Sequence, residues 1–438
     1  MSVAKLALRP QRLVDGGILR SSATVFFGIS LARLLAFLFY VLAARLLAPD
    51  RYGVLAYSFA IVTVASMLVT NAPNGLARFL ARHEDDARKR TIFLSNWLAV
   101  VALALGASAL AFIALSPLTR LSVWYVLAIV LNLVNVAVFE TYQQAQRGLG
   151  RFSAMAVFYV IANFLQLLVA VVLSAAGYRS PGLFLTVYGL SAFASVLLME
   201  LVAPTPVSFD LRALAWGRVA LIVRYLRPIL IQGAFYGAWW GADVILVQHF
   251  LDDTAAGNYA AAKVLAQALI MAPMAVGAAT TRRIARLGDD EVRAYVPRLL
   301  ATAAMVMLPL GVAVMLLEGP LLFFVYGAKY PQAGEPLAVL AAGAMLHGFY
   351  LVLSSTWGGL GRPRIGAFAT GLGMLATVST ALVVIPHVGL IGGAIGFAAG
   401  AATQLLVVGA YSVWALFSAA AVRVGHLPDT AMAQFADA

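Results

Sequence analysis

The sequence predicts an all-α integral membrane protein of twelve transmembrane helices, built as two six-helix bundles related by a parallel pseudo-two-fold. Three observations predict it. Hydrophobic residues make up 63% of the chain and charged residues 11%, too little charge to coat a water-soluble surface. Twelve apolar segments are long enough to cross a hydrocarbon core of about 30 Å as helices. Two short motifs recur about half a chain apart.

The segments run over 22–47, 53–80, 91–115, 122–143, 153–176, 182–203, 229–250, 257–279, 298–317, 336–357, 365–385 and 390–418. The first is too long for a signal peptide and carries Arg33 and Arg45. The second is expected to bend at Asn71-Ala-Pro-Asn-Gly75, where Pro removes a backbone bond and Gly loosens the next turn. These limits divide the chain into a basic arm (1–21), a first bundle (22–203), a linker (204–228), a second bundle (229–418) and a tail (419–438).

The repeats support that division. Gly-Leu-Gly-Arg occurs at 148–151 and 359–362, each time between the fourth and fifth span of a half. Leu47-Ala-Pro-Asp-Arg-Tyr-Gly53 and Leu251-Asp-Asp-Thr-Ala-Ala-Gly257 join spans 1–2 and 7–8 with the same Leu-to-Gly spacing. An even number of spans per half gives both halves one orientation, which places the symmetry axis along the membrane normal.

The formal net charge of +12 raises the question of nucleic acid, and the placement of the charges answers it. Twenty-two of the 30 Lys and Arg residues fall at the termini or in alternate loops, from Lys5 to Arg423. Only Arg51, Arg120, Arg179 and Lys329 fall on the other side. Positively charged loops remain in the cytoplasm, so both termini are expected there. The basic segments 5–20 and 212–227 are expected on the anionic inner leaflet. No nucleic-acid partner is needed.

Charges inside spans mark candidate sites, because each costs at least about 2.5–3.5 kcal/mol at mid-bilayer. Arg33 lies mid-span on a face with Ser30, Phe37 and Tyr40. Its guanidinium suits phosphate oxygens. Arg78 is either a second phosphate contact or an interfacial anchor; Arg45 lies where it can snorkel. Asp243 continues a face of Gln232, Tyr236 and Trp239, and Lys263 one of Tyr259 and Gln267. Asp243 and Lys263 are each ten residues from position 253, so they can pair across the hairpin, either to pin two helices or to gate transport with an ion. Tyr236 and Trp239 either stack on sugars or pack. Asn163 belongs to a polar stripe with Tyr159 and Gln166. Glu140 and Glu200 are read as solvated near helix ends, and His347 as a core histidine.

Absences narrow the function. No Gly-Lys dipeptide occurs, so there is no P-loop. There is no Cys and no metal-spaced His cluster; no cofactor is expected. Outer loops are short and no paired carboxylates lie in an extended loop, which favours transport over chemistry.

Five stretches, in order along the chain, resemble a known family. They are Ala43-Ala-Arg-Leu-Leu-Ala-Pro-Asp-Arg-Tyr-Gly53, Tyr225-Leu-Arg-Pro228 leading to Asp243, and Gly257-Asn-Tyr-Ala-Ala-Ala-Lys263. Phe324-Val-Tyr-Gly-Ala-Lys-Tyr-Pro-Gln-Ala333 and Ile385-Pro-His-Val-Gly-Leu-Ile-Gly-Gly-Ala394 complete the set. The ordered set resembles the polysaccharide transporters, the Wzx-type flippases of the MOP (MATE-like) exporter superfamily. The resemblance implies two six-helix bundles around a central cavity in the bacterial inner membrane. It implies alternating access that moves an undecaprenyl-diphosphate-linked oligosaccharide, an O-antigen or exopolysaccharide unit, to the periplasmic leaflet. Arg33 and Lys263 match the cationic cavity pattern that holds the diphosphate. H+ or Na+ as coupling ion, membrane lipids, a glycan polymerase and chain-length machinery are the other implied partners. A departure is the scarcity of second-half charges beyond Asp243 and Lys263. A lipid II-type or other exporter of the superfamily is the alternative. A membrane enzyme or a scaffold of glycan assembly stands behind it.

Overall fold

The computed structural model describes residues 16–271, 273–274, 284, 289–360 and 362–417. Among them there are helices and no strand. The first half comprises α1 (Gly16–Leu46), α2 (Pro49–Ala65), α3 (Met67–Asn71), α4 (Leu76–Arg82), α5 (Ala87–Leu115), α6 (Val123–Gly148), α7 (Phe152–Ala175) and α8 (Pro181–Val202). The second comprises α9 (Trp216–Phe250), α10 (Asp253–Ala268), α11 (Asp289–Leu316), α12 (Glu318–Tyr326), α13 (Gly334–Gly359), α14 (Pro363–Val388) and α15 (Leu390–Phe417). Ten helices are long and apolar enough to cross a membrane, and the bent pair from Pro49 to Arg82 makes an eleventh. The protein is a multi-pass membrane protein. The remaining expected span, 257–279, begins as α10 and continues into residues outside the described ones.

The helix ends follow from local chemistry. Pro49, Pro181 and Pro363 open helices at a position where the missing N–H costs nothing. Asp86 and Asp252 accept from the N–H groups of Lys89 and Ala255 at 2.9 and 2.7 Å and cap α5 and α10. Span 2 bends by 52°. The break starts at Ser66 and includes the expected turn, closed by Gly75 at φ +99°. The Ala72 carbonyl at this break accepts from Trp97 Nε1 at 2.7 Å, which satisfies that group inside the hydrocarbon. Residues 216–228, expected in the linker, form the first turns of α9, and Val219, Ile222 and Leu226 pack on the first half around Phe79 and Trp97.

The two Gly-Leu-Gly-Arg copies close their helices alike. Arg151 N donates to Gln146 O at 2.9 Å, and Arg362 N to Trp357 O at 2.8 Å, both spanning five residues. Each arginine then reaches the sixth span of its own half. Arg151 donates to Ala203 and Pro204 carbonyls, and Arg362 to Tyr411 Oη. The second repeat meets itself. A Cβ on Gly53 would lie 1.7 Å from Asp253 O, and one on Gly257 would lie 1.9 Å from Pro49 O. Residues 49 and 253 occupy equivalent repeat positions, so the contact is reciprocal, as a two-fold axis requires.

Where the halves touch, α9 presents Gly233, Gly237 and Gly241 at a spacing of four. Added Cβ atoms there would strike Asn71, Met67 and the Ala60 carbonyl respectively. Small residues at that spacing let backbones approach closely in lipid.

Candidate functional site

The charges inside the helices fall into two groups with opposite surroundings. In the second half, α9 carries Asp243 and α10 carries Lys263, both buried. Lys263 Nζ lies 2.6 and 2.8 Å from the two Asp243 carboxylate oxygens and donates to Trp240 O at 2.6 Å. Tyr259 Oη donates to Asp243 Oδ2 at 2.7 Å. The ammonium also lies 5.6 Å from the Trp240 ring and 5.5 Å from the Phe397 ring, within cation–π range. All three ammonium donors are used, so the pair is closed upon itself. Trp239 is fully buried between His347 and Phe397, with ring centroids 4.3 and 5.0 Å away. His347 Nδ1 is 2.8 Å from Gln404 Oε1, the bonded core histidine that was expected.

In the first half the mid-span charge is Arg33. Arg33 on α1 is half-buried. It is close enough to Tyr159 of α7 and Tyr236 of α9 to act on both electrostatically. Its guanidinium touches Met274 Sδ at 3.5 Å, and among the described residues it has no acidic partner. Asn163, half-buried, donates to Tyr159 O at 2.8 Å. Tyr236 stacks on Trp240, with centroids 5.9 Å apart.

The halves are tied at the predicted outer end. Arg45 of α1 donates to Phe324 O at 2.6 Å and to Val325 O, the last carbonyls of α12. In return Lys329 donates to Arg45 O, and Tyr330 Oη to Ala44 O at 2.7 Å, the last carbonyls of α1. Each helix end thus supplies the cap of the other. Arg45, read as a snorkelling side chain, is instead a cross-half cap.

The expected residues therefore divide. Arg33 acts electrostatically on Tyr236 and Tyr159, and Asn163 bonds the Tyr159 carbonyl one turn back along α7. Asp243 and Lys263 meet as the hairpin spacing predicts. Trp239 is enclosed. Arg78 lies exposed on the short α4. Glu140 departs from its reading: it lies two turns inside α6, half-buried, not at a solvated end. Two features were missed in the sequence, and only one of them carried a signal there. The Gly233, Gly237 and Gly241 spacing was readable, whereas the Arg45–Lys329 exchange spans 284 residues and left no local trace.

The polysaccharide biosynthesis protein family profile matches residues 41–335. The chain belongs to that family. No curated protein matches the sequence. Among solved structures, this polysaccharide biosynthesis protein is similar to an inward-facing multidrug resistance MATE transporter of the MOP superfamily. The two share 15% identity over 90% of this chain and 96% of the other, with a TM-score of 0.72. The lipid II flippase MurJ in an inward closed conformation gives 14% identity, 90% and 87% coverage, and 0.73. The eukaryotic MATE transporter AtDTX14 gives 16%, 91% and 96%, and 0.64. The family member thus has the MOP fold that its ordered motifs resemble.

Proposed function

We propose that the protein is a flippase that moves an undecaprenyl-diphosphate-linked oligosaccharide across the inner membrane by alternating access. The observation that carries this reading is Arg33: a guanidinium in a span, between the halves, beside two tyrosines and without an acidic partner among the described residues. Such a charge is expensive to keep in a membrane unless an anion meets it. The diphosphate is that anion. The glycan lies among Tyr159, Asn163 and Tyr236, and the prenyl chain stays in lipid. Each charge-assisted bond contributes about 1.5–3 kcal/mol, enough for capture without preventing release.

With both termini cytoplasmic, the end tied by Arg45, Lys329 and Tyr330 is periplasmic, and this conformation opens inward. Rocking breaks those caps and exposes the load. The self-contained Asp243–Lys263 pair stiffens the second half during the stroke, with H+ or Na+ and the glycan-assembly proteins acting on the cycle. The test uses sealed liposomes with labelled lipid-linked oligosaccharide and an impermeant glycosidase outside. Accessibility is expected to rise beyond the initial outer pool with the wild type and not with Arg33→Ala. Normal flipping by a well-folded Arg33→Ala protein would overturn the assignment. Lipid II in the same liposomes reads the runner-up.

A further inference from the structure

The first half holds a second charge that the diphosphate does not explain. Glu140 lies on α6, and Gln144 and Arg147 follow at i+4 and i+7, forming one polar stripe towards the helix end. Glu140 acts electrostatically on Tyr159 of α7 and Tyr188 of α8. Tyr159 also feels Arg33 of α1 and Arg147. The Tyr188 ring lies 6.4 Å, centroid to centroid, from that of Tyr40 of α1. Phe139, the neighbour of Glu140, meets the Tyr159 ring edge-on at 5.0 Å. Tyr159 is therefore acted on by a cation and a carboxylate that form no ion pair with each other among the described residues.

Among the described residues, no donor hydrogen-bonds to the Glu140 carboxylate and no cation lies within ion-pair distance of it. Its oxygens are not sealed off, since the residue is only half-buried. An ionised carboxylate is an acceptor with about four lone-pair sites. In a membrane interior that capacity demands donors. The diphosphate has none to give and carries the same sign of charge. Sugar hydroxyls are donors, and a vicinal pair matches the two carboxylate oxygens. A tyrosine between the two groups offers both a ring face and a hydroxyl.

We propose that Glu140 recognises the sugar adjoining the diphosphate, by accepting its hydroxyl protons, and so selects glycan-bearing carrier over bare carrier. This rests on the flippase reading, in which Arg33 holds the diphosphate. Two carriers then separate the roles. Bare undecaprenyl diphosphate meets Arg33 and is repelled by Glu140. The glycosylated carrier gains the hydroxyl bonds that offset this repulsion.

The experiment measures binding to the full-length protein by native mass spectrometry in detergent. The ligands are bare undecaprenyl diphosphate and the lipid-linked glycan pool extracted from the source membrane. Glu140→Ala is expected to weaken the glycan-bearing pool about tenfold, the worth of one charged hydrogen bond, and to leave the bare carrier as tight or tighter. The near-isosteric Glu140→Gln keeps the packing and is expected to shift both ligands in the same directions by less. Equal weakening of both carriers in both variants would mean a structural role and overturn the proposal, as would no change in either. A wild type that binds both carriers equally sinks glycan recognition while leaving the diphosphate site standing. A wild type that binds neither sinks the flippase reading, and this inference with it.

Discussion

Two charged regions of this protein solve the cost of burying ions in opposite ways. Asp243 and Lys263 sit within the second half and consume one another, with Tyr259 and the Trp240 carbonyl completing the set. Arg33 and Glu140 sit in the first half, both act electrostatically on Tyr159, and do not pair with each other among the described residues. The difference teaches where to look for a ligand. A closed ion pair has its hydrogen-bonding capacity already filled. A cation and an anion held apart across a tyrosine gain from a guest that carries both phosphate and hydroxyls.

Four substitutions would break or sharpen that contrast. The largest effect on stability is expected at the closed pair. Lys263→Met leaves Asp243 buried and uncompensated, costing about 3–5 kcal/mol. Thermal unfolding of the detergent-solubilised protein should fall steeply, and adding Asp243→Asn should restore most of the loss. Next is the crossing of α2 and α10. Gly53→Ala places a Cβ 1.7 Å from a backbone oxygen that cannot swing aside, an overpacking worth about 1–3 kcal/mol or more. Gly106→Ala, with nothing within 4 Å, should melt like the wild type.

Arg45→Ala is expected to act at the tied end. It removes two charged bonds to the end of α12, about 1.5–3 kcal/mol each at most. A cysteine placed at the buried Ala333 should then label faster with an impermeant maleimide, a clean readout because the chain has no native Cys. Unchanged labelling would show that these caps do not hold the end shut. The smallest stability effect belongs to Arg33→Ala. It lacks an acidic partner among the described residues, so melting should shift by under about 1 kcal/mol while transport is lost. A large drop in melting would move Arg33 into the class of Lys263 and weaken the contrast.

The interface between the halves also shows how far a sequence can be read. The Asp243–Lys263 pair was legible because ten residues on either side of a hairpin centre set equal depth, and helix geometry does the rest. The internal repeat was legible in two short motifs: the Gly-Leu-Gly-Arg copies close their helices alike, and the Leu-to-Gly turns meet each other. The place of Glu140 was not. Its distance along α6 from Gly148 looked like proximity to water, but which side of a helix faces a gap depends on the neighbours packed against it. Trp239 looked available for the same reason and is enclosed by His347 and Phe397.

By itself the sequence determined that this chain is built of membrane-length apolar helices, that two short motifs recur half a chain apart, and that a few charges enter the apolar interior. Those are consequences of hydrophobicity, loop charge and spacing, all of them local or periodic along the chain. Only the tertiary structure decided which charges meet and which stay apart. Pairing energy depends on distances between helices hundreds of residues apart, such as Arg45 and Lys329, and no periodicity along the chain records them.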